Sequence, residues 1–559
     1  MKTLRVGVKI TEYEKERLII VPEGIHLKEA LDKEFIPYSL PCGGNGSCGR
    51  CRVTFMSGAP EASAEDKAHL SADEIRRGVR LLCRCVIDKD CHLVLDKRAD
   101  DRGMKIEGAE NSSIPECTEE ALGKCFPDET DHIEDYTYGI AVDIGTTTIA
   151  AALIRVGSGE KESAYGNDTE KMTFDIIRTS GCANSQRKFG EDVISRISAA
   201  EDDEILARMG SLVVSDISKL IKELVESYEV PLSGKKMRTD IRDIVAVTIT
   251  GNTTMLHLLM GRAVSSLGKY PYTPVALEME KLEAAVLFGE LSNAKLTILP
   301  GISAFVGADI VAGLLTIKMS DNGRFFFLDL GTNGEMAFYD GSKLKVASAA
   351  AGPVFEAGGI SCGTASIPGA ICHVEVDPKT RKASIETIRR KAPIGICGTG
   401  VMETVSELLK AGIMDETGLL TEEYFDEGYP LTEDGSIVLS QQDIRNVQLA
   451  KAAIFTGAKA LLQDNVPDRV YVSGGFGSSI IPEKIVNLGM FPAAFDGKIE
   501  TVGNSALKGA AMFVAAVLSG PEAEAEAVKK LNEIIAEAEV VELAALSSFD
   551  EDYIEAMNF

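Results

Sequence analysis

Positive charge is scarce in this chain: 58 Lys and Arg stand against 85 Asp and Glu, a net charge of −27. Such an acidic balance argues against nucleic acid or an anionic membrane as a partner. No uninterrupted apolar run reaches the ~20 residues that a membrane-spanning helix needs. The opening MKTLRVGVKI is a charged strand without the apolar stretch of a signal peptide, so a cytoplasmic location is expected. No GxxxxGK(S/T) sequence occurs, which excludes a P-loop as the source of any nucleotide binding. No fixed-period repeat is present either. In a reducing compartment the twelve cysteines are expected to serve metal sites or stay buried. At 559 residues the chain is too long for one core and should hold three or more domains.

What the chain does have is a cysteine loop near its start, PCGGNGSCGRCRV, followed by RLLC. Cys42, Cys48 and Cys51 give the spacing C-x5-C-x2-C, and a fourth cysteine follows downstream. Bridged irons want four thiolates, and a short glycine-rich turn supplies three of them. Gly43, Gly44, Gly46 and Gly49 let the backbone curl around a cluster and aim its amides at the sulfurs. Zinc usually takes two C-x2-C hairpins, and only one exists here. The pattern therefore points to a 2Fe-2S cluster. The fourth ligand is Cys83, Cys85 or Cys91; the GVRLLC approach favours Cys83. Around the loop, residues 3–10 and 17–21 read as strands, 24–33 as a helix, and 52–55 as another strand, which suits a β-grasp ferredoxin.

Residues 97–137 carry twelve Asp and Glu against five Lys and Arg. Such a segment buries little apolar surface and reads as a linker with one short helix at 116–125. Beyond it, YGIAVDIGTTTIAAALI (138–154) is a hairpin whose turn sets Asp143 beside Gly145, Thr146, Thr147 and Thr148. Amides and hydroxyls there can hold phosphate oxygens, and Asp143 can hold Mg2+ through water. The pattern returns in FFFLDLGTNGEMAF (325–338), with Asp329, Gly331, Thr332, Asn333 and Gly334 in the turn. One such turn is weak evidence, but two can clamp one nucleotide from opposite sides. Small-residue turns follow at 248–255, 306–315 and 395–412. In VYVSGGFGSSI (470–480), Gly474 and Gly475 would let the backbone approach a flat ring such as adenine.

With these pieces in this order, the chain resembles the acetate kinase, sugar kinase, Hsp70 and actin superfamily over roughly 139–517. Together with CGGNGSCGRCRV, NSQRKFGEDVISRI (184–197), ITGNTTMLHLL, LDLGTNGE, AAGPVFEAGGI (350–360) and SSFDEDYIEAMNF, it resembles the reductive activators of corrinoid proteins. The resemblance implies an α+β and α/β multidomain chain. A β-grasp 2Fe-2S ferredoxin-like domain (1–96) and an acidic linker (97–137) would precede a middle domain with the first phosphate loop (138–205). A large actin-like, ribonuclease H-like nucleotide-binding domain with a C-terminal tail (206–559) would complete it.

The resemblance also implies a function: ATP-dependent transfer of one electron from the cluster to Co(II) of a corrinoid methyl carrier, giving Co(I). Cys42, Cys48, Cys51 and Cys83 would hold the cluster. Asp143 and Asp329 would position Mg2+ and water. Gly145, Thr146, Thr147, Gly331, Thr332, Asn333 and Gly334 would hold ATP phosphates, and Gly474 and Gly475 would flank adenine. Partners would be the corrinoid protein, an upstream low-potential electron donor and a second copy in a homodimer. Other classes are a small-molecule kinase with a redox-sensing cluster domain, a radical-dehydratase activator, and a carrier scaffold that hydrolyses nothing. Plainer readings fit several neighbours: a solvated or cap-bonding Glu335, packed or hydrogen-bonded core histidines at His257 and His373, an Asp192–Arg196 i,i+4 pair, and a solvated acidic helix near the C-terminus.

Overall fold

Alternating apolar residues build the first domain. Strands β1 (Thr3–Lys9) and β2 (Arg17–Pro22) pair antiparallel, helix α1 (Leu27–Lys33) follows, and β3 (Arg52–Ser57), β4 (Val79–Leu81) and β5 (Cys91–Leu95) complete a sheet of order β2-β1-β5-β3-β4. The first and last strands lie side by side and parallel, which is the β-grasp arrangement. Val6, Val8, Val53, Phe55 and Leu93 face inward against Leu27, Ala30 and Leu31 of the helix. That helix starts three residues later than its sequence suggests, because Gly24 turns the chain at φ +87° and Ile25–His26 pair with Val86–Ile87. The computed structural model describes residues 3–9, 17–33, 36, 38, 46, 49, 51–95, 136–157, 174–225, 228–229, 236–237, 239–317, 323–474 and 480–559. The expected linker therefore lies outside the described residues up to 135, its short helix included. Tyr136 and Thr137 already belong to the next strand.

The rest of the chain is one topology used twice. In the first half, β6 (Tyr136–Ile144), β7 (Thr148–Gly157) and β8 (Asp175–Ala183) form successive antiparallel pairs. Strand β9 (Ile244–Gly251) then joins β6 in parallel, and β11 (Lys295–Ile298) joins β9; β10 (Glu280–Glu283) closes the edge. In the second half, β12 (Phe325–Leu330), β13 (Gly334–Tyr339) and β14 (Leu344–Ala349) are the antiparallel set. Strands β15 (Arg469–Ser473) and β16 (Ile499–Gly503) continue it in parallel. With the edge strand β10 left out of the count, each half reads third-second-first-fourth-fifth, the ribonuclease H-like order of actin-like proteins; in the second half Ala538–Val540 adds a parallel strand beside β14. Strand β7 is buried along all but its two ends, as a strand covered on both faces should be.

The first sheet crosses the boundary expected at 205/206. Its parallel strands β9 and β11 come after the long helix α3 (Asp203–Val225), so the sheet can be completed only from residues 244–298.

Helices α5 (Ala308–Leu315) and α8 (Ser505–Ser519) join the halves. Ala-, Gly- and Ser-rich faces let them cross closely: a Cβ at Gly313 would meet Phe327 and Ser505, and one at Gly509 would meet the backbone of Ala312. Helix α8 belongs by sequence to the second half, yet its Ala510, Ala511, Val514 and Ala515 are buried in the first half's core. The acidic helix Pro521–Glu537 is only partly solvated, since Ala523, Ala527, Leu531 and Ile534 join the same core. Among the described residues no helix is long and apolar enough to cross a membrane.

Candidate functional site

Two regions carry the chemistry. In the first domain, Cys51 immediately precedes β3, and Cys83 sits in the 3-10 turn Leu82–Arg84 just after β4. Pairing of these strands brings the two buried sulfurs to 3.2 Å, close enough to ligate one iron. Cys42 and Cys48 lie outside the described residues. Gly46 has φ +77°, a conformation glycine takes without strain, and it lies directly under the Arg84 guanidinium, which a Cβ would approach to 2.6 Å. The residues described fit a cluster. The two rivals for the fourth ligand differ in character from Cys83. Cys85 donates to the Leu81 carbonyl at 3.3 Å, and burial, then the Asp66 charge, pushes its thiol far above the usual range. Cys91 lies on β5, where burial raises it to about 11. Of the three, it is Cys83 that strand pairing sets 3.2 Å from the Cys51 sulfur.

The second region is a cleft of ≈ 180 Å³ between the two halves, lined by both hairpin turns. Asp143 lies one residue from the end of β6 beside Thr250 of β9, and Asp329 one residue from the end of β12 beside Ser473 of β15. The duplicated topology thus sets two carboxylates at equivalent places, at the carboxyl ends of parallel strands where open α/β sheets bind ligands. Asp309 in the first turn of α5 and Glu335 at the start of β13 also line the cleft.

Burial raises the pKa values of all four carboxyls, and for three of them neighbouring carboxylates add to it. Burial lifts Asp143 to about 6. Asp329 rises to about 7 through burial and then the Asp143 charge, with a Ser473 hydrogen bond opposing. Burial, Asp329 and Asp143 together take Asp309 to about 8, and Glu335 is pushed well above the carboxylate range by burial and Asp309. Such a group binds protons, or a divalent cation in their place. Among the described residues no three His, Cys, Asp or Glu side chains converge to ligate a metal directly. A cation here would be held through water and phosphate, which fits the ligation that Mg2+ prefers.

Asparagine caps tie the turns together. Asn252 caps the helix Thr253–Leu259 by accepting from the Met255 amide and donates to the Thr146 hydroxyl at 3.2 Å. Asn504 caps α8 in the same way and donates to Asp143 across the cleft at 2.9 Å. Thr147 and Thr332, one from each turn, both donate at 2.8 Å to the same oxygen of Glu356. Gly145, Gly331 and Asn333 line the cleft, and the Gly331 amide closes its turn on the Asn333 carbonyl. Gly334, the first residue of β13, is buried and pairs with Leu330 across the hairpin. Gly474 has φ +108°, and a Cβ on it would collide with the Leu330 carbonyl. Gly475 lies outside the described residues.

Several plainer expectations need correction. Glu335 is buried and faces the cleft instead of being solvated. Arg196 makes no ion pair with Asp192, which caps its own helix through the Ser195 amide and hydroxyl. It is fully buried and donates to the carbonyls of Thr146 at 2.5 Å and Gly190 at 2.8 Å, placing a cation beneath the first turn. Burial, then Arg187, lowers its pKa to about 9, which leaves it cationic at neutral pH. Asn184 and Gln186 are also buried and brace this turn, Asn184 through the Gly145 carbonyl at 2.9 Å. His257 is packed as expected, a neutral ring bonded to the Thr253 carbonyl and the Val275 amide. His373 is hydrogen-bonded as expected, to Glu403 at 2.9 Å, but its side chain is 42% exposed and so lies outside the core.

Sequence reading passed over Asp309, Glu356, Asn252 and Asn504, and gave Arg196 a surface partner. One signal could have found the two asparagines: TITGNTTM and TVGNSAL each place Gly-Asn between a strand and a helix, once per half.

A cluster-type β-grasp domain carried on the same chain as two ribonuclease H-like halves defines an iron-sulfur protein with an actin-like nucleotide-binding fold. Family models tile the chain accordingly: the 2Fe-2S iron-sulfur cluster binding domain over 10–88, the RACo middle region over 138–322, and the C-terminal domain of RACo, the ASKHA domain, over 324–559. The chain thus carries the middle and C-terminal regions of RACo behind an iron-sulfur domain. The family division at 322/324 falls between the two sheets. Among relatives, corrinoid activation enzyme RamQ of Eubacterium limosum is 28% identical over 409 residues, 67% of this chain and 64% of that protein. The Co(II) methylated amine-specific corrinoid protein reductase of Methanosarcina barkeri is 26% identical over 66% of this chain and 68% of its own length. A solved reductive activator for corrinoid, iron-sulfur protein matches the fold with a TM-score of 0.64 at 24% identity, covering 100% of this chain and 98% of that one.

Proposed function

We propose that this protein is an ATP-dependent reductive activator of a corrinoid protein, passing one electron from a reduced 2Fe-2S cluster to Co(II) and leaving Co(I). The observation that carries the reading is the pair of hairpin turns facing across one acidic cleft, with Asp143 and Asp329 at equivalent positions, on a chain that also carries a cluster domain. When bound, the cluster supplies a single electron. Cys51 and Cys83 are its described ligands, with Cys42 and Cys48 completing the set. Thr147 and Thr332 have the hydroxyls, one per half, to grip a terminal phosphate, and Asn333 lies beside them. Asp143 and Asp329 would orient the water shell of Mg2+, and Gly474 would flank the adenine ring.

The energetic reason for a nucleotide is that this transfer runs uphill. An acceptor about 200 mV below the donor makes one-electron transfer unfavourable by on the order of 5 kcal/mol. Allosteric coupling of about 1–3 kcal/mol falls short of that gap. Nucleotide turnover or docking of the corrinoid protein has to supply the rest. The test mixes chemically reduced protein, Mg-ATP and a Co(II) corrinoid protein and follows the Co(I) absorption band. Co(I) should form with Mg-ATP and far more slowly without it; equal formation in both refutes the ATP coupling. A cytoplasmic homodimer served by a low-potential donor completes the proposal.

A further inference from the structure

The strongest unassigned contact in the cleft belongs to Glu356. It ends the 3-10 turn Pro353–Glu356 after β14, where Val354 and Phe355 anchor the segment in the second half's core. The next residue, Ala357, is held in the left-handed region at φ +59°, a conformation a non-glycine residue adopts at some cost. Beyond it, the Gly359 carbonyl accepts from Asn446 at 2.8 Å, and the Ser361 hydroxyl donates to Asp443 at 2.6 Å, both partners on the helix Gln441–Leu462. The segment is therefore fixed to the second half, and its carboxylate is aimed out of it. One oxygen of that carboxylate collects the Thr147 hydroxyl from the first half and the Thr332 hydroxyl from the second. An anionic oxygen held by one hydroxyl from each phosphate turn has the donors and the charge that a terminal phosphate oxygen would have there.

We propose that Glu356 is a clasp across the cleft and a specificity-determining residue. It joins the two halves through Thr147 and Thr332 and yields both hydroxyls only to a ligand ending in a phosphate. The inference rests on the assignment of this cleft to a nucleotide. A carboxylate and a phosphate cannot take the same two hydroxyl protons, and their like charges repel across so short a distance. Binding of the terminal phosphate must therefore expel Glu356 and part the contact that joins the halves. A ligand without phosphate leaves the clasp shut.

The test is calorimetric binding to the full chain of Mg-AMPPNP, a non-hydrolysable triphosphate, and of adenosine. Glu356→Gln keeps the shape and removes the charge. It should tighten Mg-AMPPNP about tenfold, the equivalent of about 1.4 kcal/mol, and leave adenosine unchanged. Glu356→Asp, which withdraws the carboxylate by one methylene, should act in the same direction if the glutamine variant does not fold. In a Thr147→Val, Thr332→Val background the gain should vanish, because neither anion then has hydroxyls to contend for. Equal or weaker Mg-AMPPNP binding by Glu356→Gln overturns the clasp. So does a gain that persists without the hydroxyls, which would mean only long-range charge. If neither the wild-type protein nor Glu356→Gln binds Mg-AMPPNP, the nucleotide assignment of the cleft itself falls, and the clasp with it.

Discussion

Replacing Asp329 by Asn separates what this carboxyl costs the fold from what it gives the site. Its pKa stands at about 7 instead of 3.8, first because of burial and then because of the Asp143 charge. A carboxyl raised on folding contributes stability that is fully present below its unfolded pKa and lost as pH rises through its folded one. For Asp329 that window runs from about pH 4 to about pH 7. Each pH unit inside it costs about 1.4 kcal/mol, so the wild-type protein loses about 3 kcal/mol at this residue between pH 5 and pH 7 and little more by pH 8. Asparagine does not titrate. Asp329→Asn should therefore lose about 3 kcal/mol less stability than the wild type between pH 5 and pH 8. The assay is urea unfolding in the presence of a chelator at the two pH values. Titration of groups in the cluster domain is common to both proteins and cancels in the comparison. The same variant should bind Mg-AMPPNP at least tenfold more weakly at pH 8. Parallel stability profiles for the two proteins would refute the reasoning, because they would mean that Asp329 is not held against ionisation by its surroundings.

Cys83→Ala should lose most of the bound iron and the visible absorption of the cluster, whereas Cys85→Ala should keep both; loss of iron only in Cys85→Ala would reverse the ligand assignment. Arg196→Met should destabilise the protein by about 2–4 kcal/mol in thermal or urea unfolding, since it strands the Thr146 and Gly190 carbonyls in a buried site. A change below about 0.5 kcal/mol would show that this arginine is not what supports the first turn.

Some of the site could be read from local pattern. The β-grasp strands were legible because their apolar residues alternate, and the two hairpins because an acidic residue meets Gly and Thr at a strand end in both. Glu335 was misjudged for a physical reason. A Glu after a turn is usually solvated, and only the approach of the helix that carries Asp309, beside Asp329 on the paired strand, encloses it. Arg196 failed for a similar reason: i,i+4 spacing describes one helix surface, whereas this side chain turns inward toward a turn fifty residues earlier.

By itself the sequence determined the elements and their order: a cysteine loop with the spacing of a 2Fe-2S site, an acidic segment, and two strand-turn-strand units built around Asp143 and Asp329. Periodicity and turn chemistry act over a few residues, so they show in the chain directly. Only the tertiary structure decided which sulfur stands beside Cys51, since that depends on β3 pairing with β4. It alone placed Asp309 and Glu335 with the two aspartates, and it alone set Glu356 between Thr147 and Thr332, 209 and 24 residues away. Those groupings arise where two sheets close on one cleft, and no local pattern records which side chains meet there.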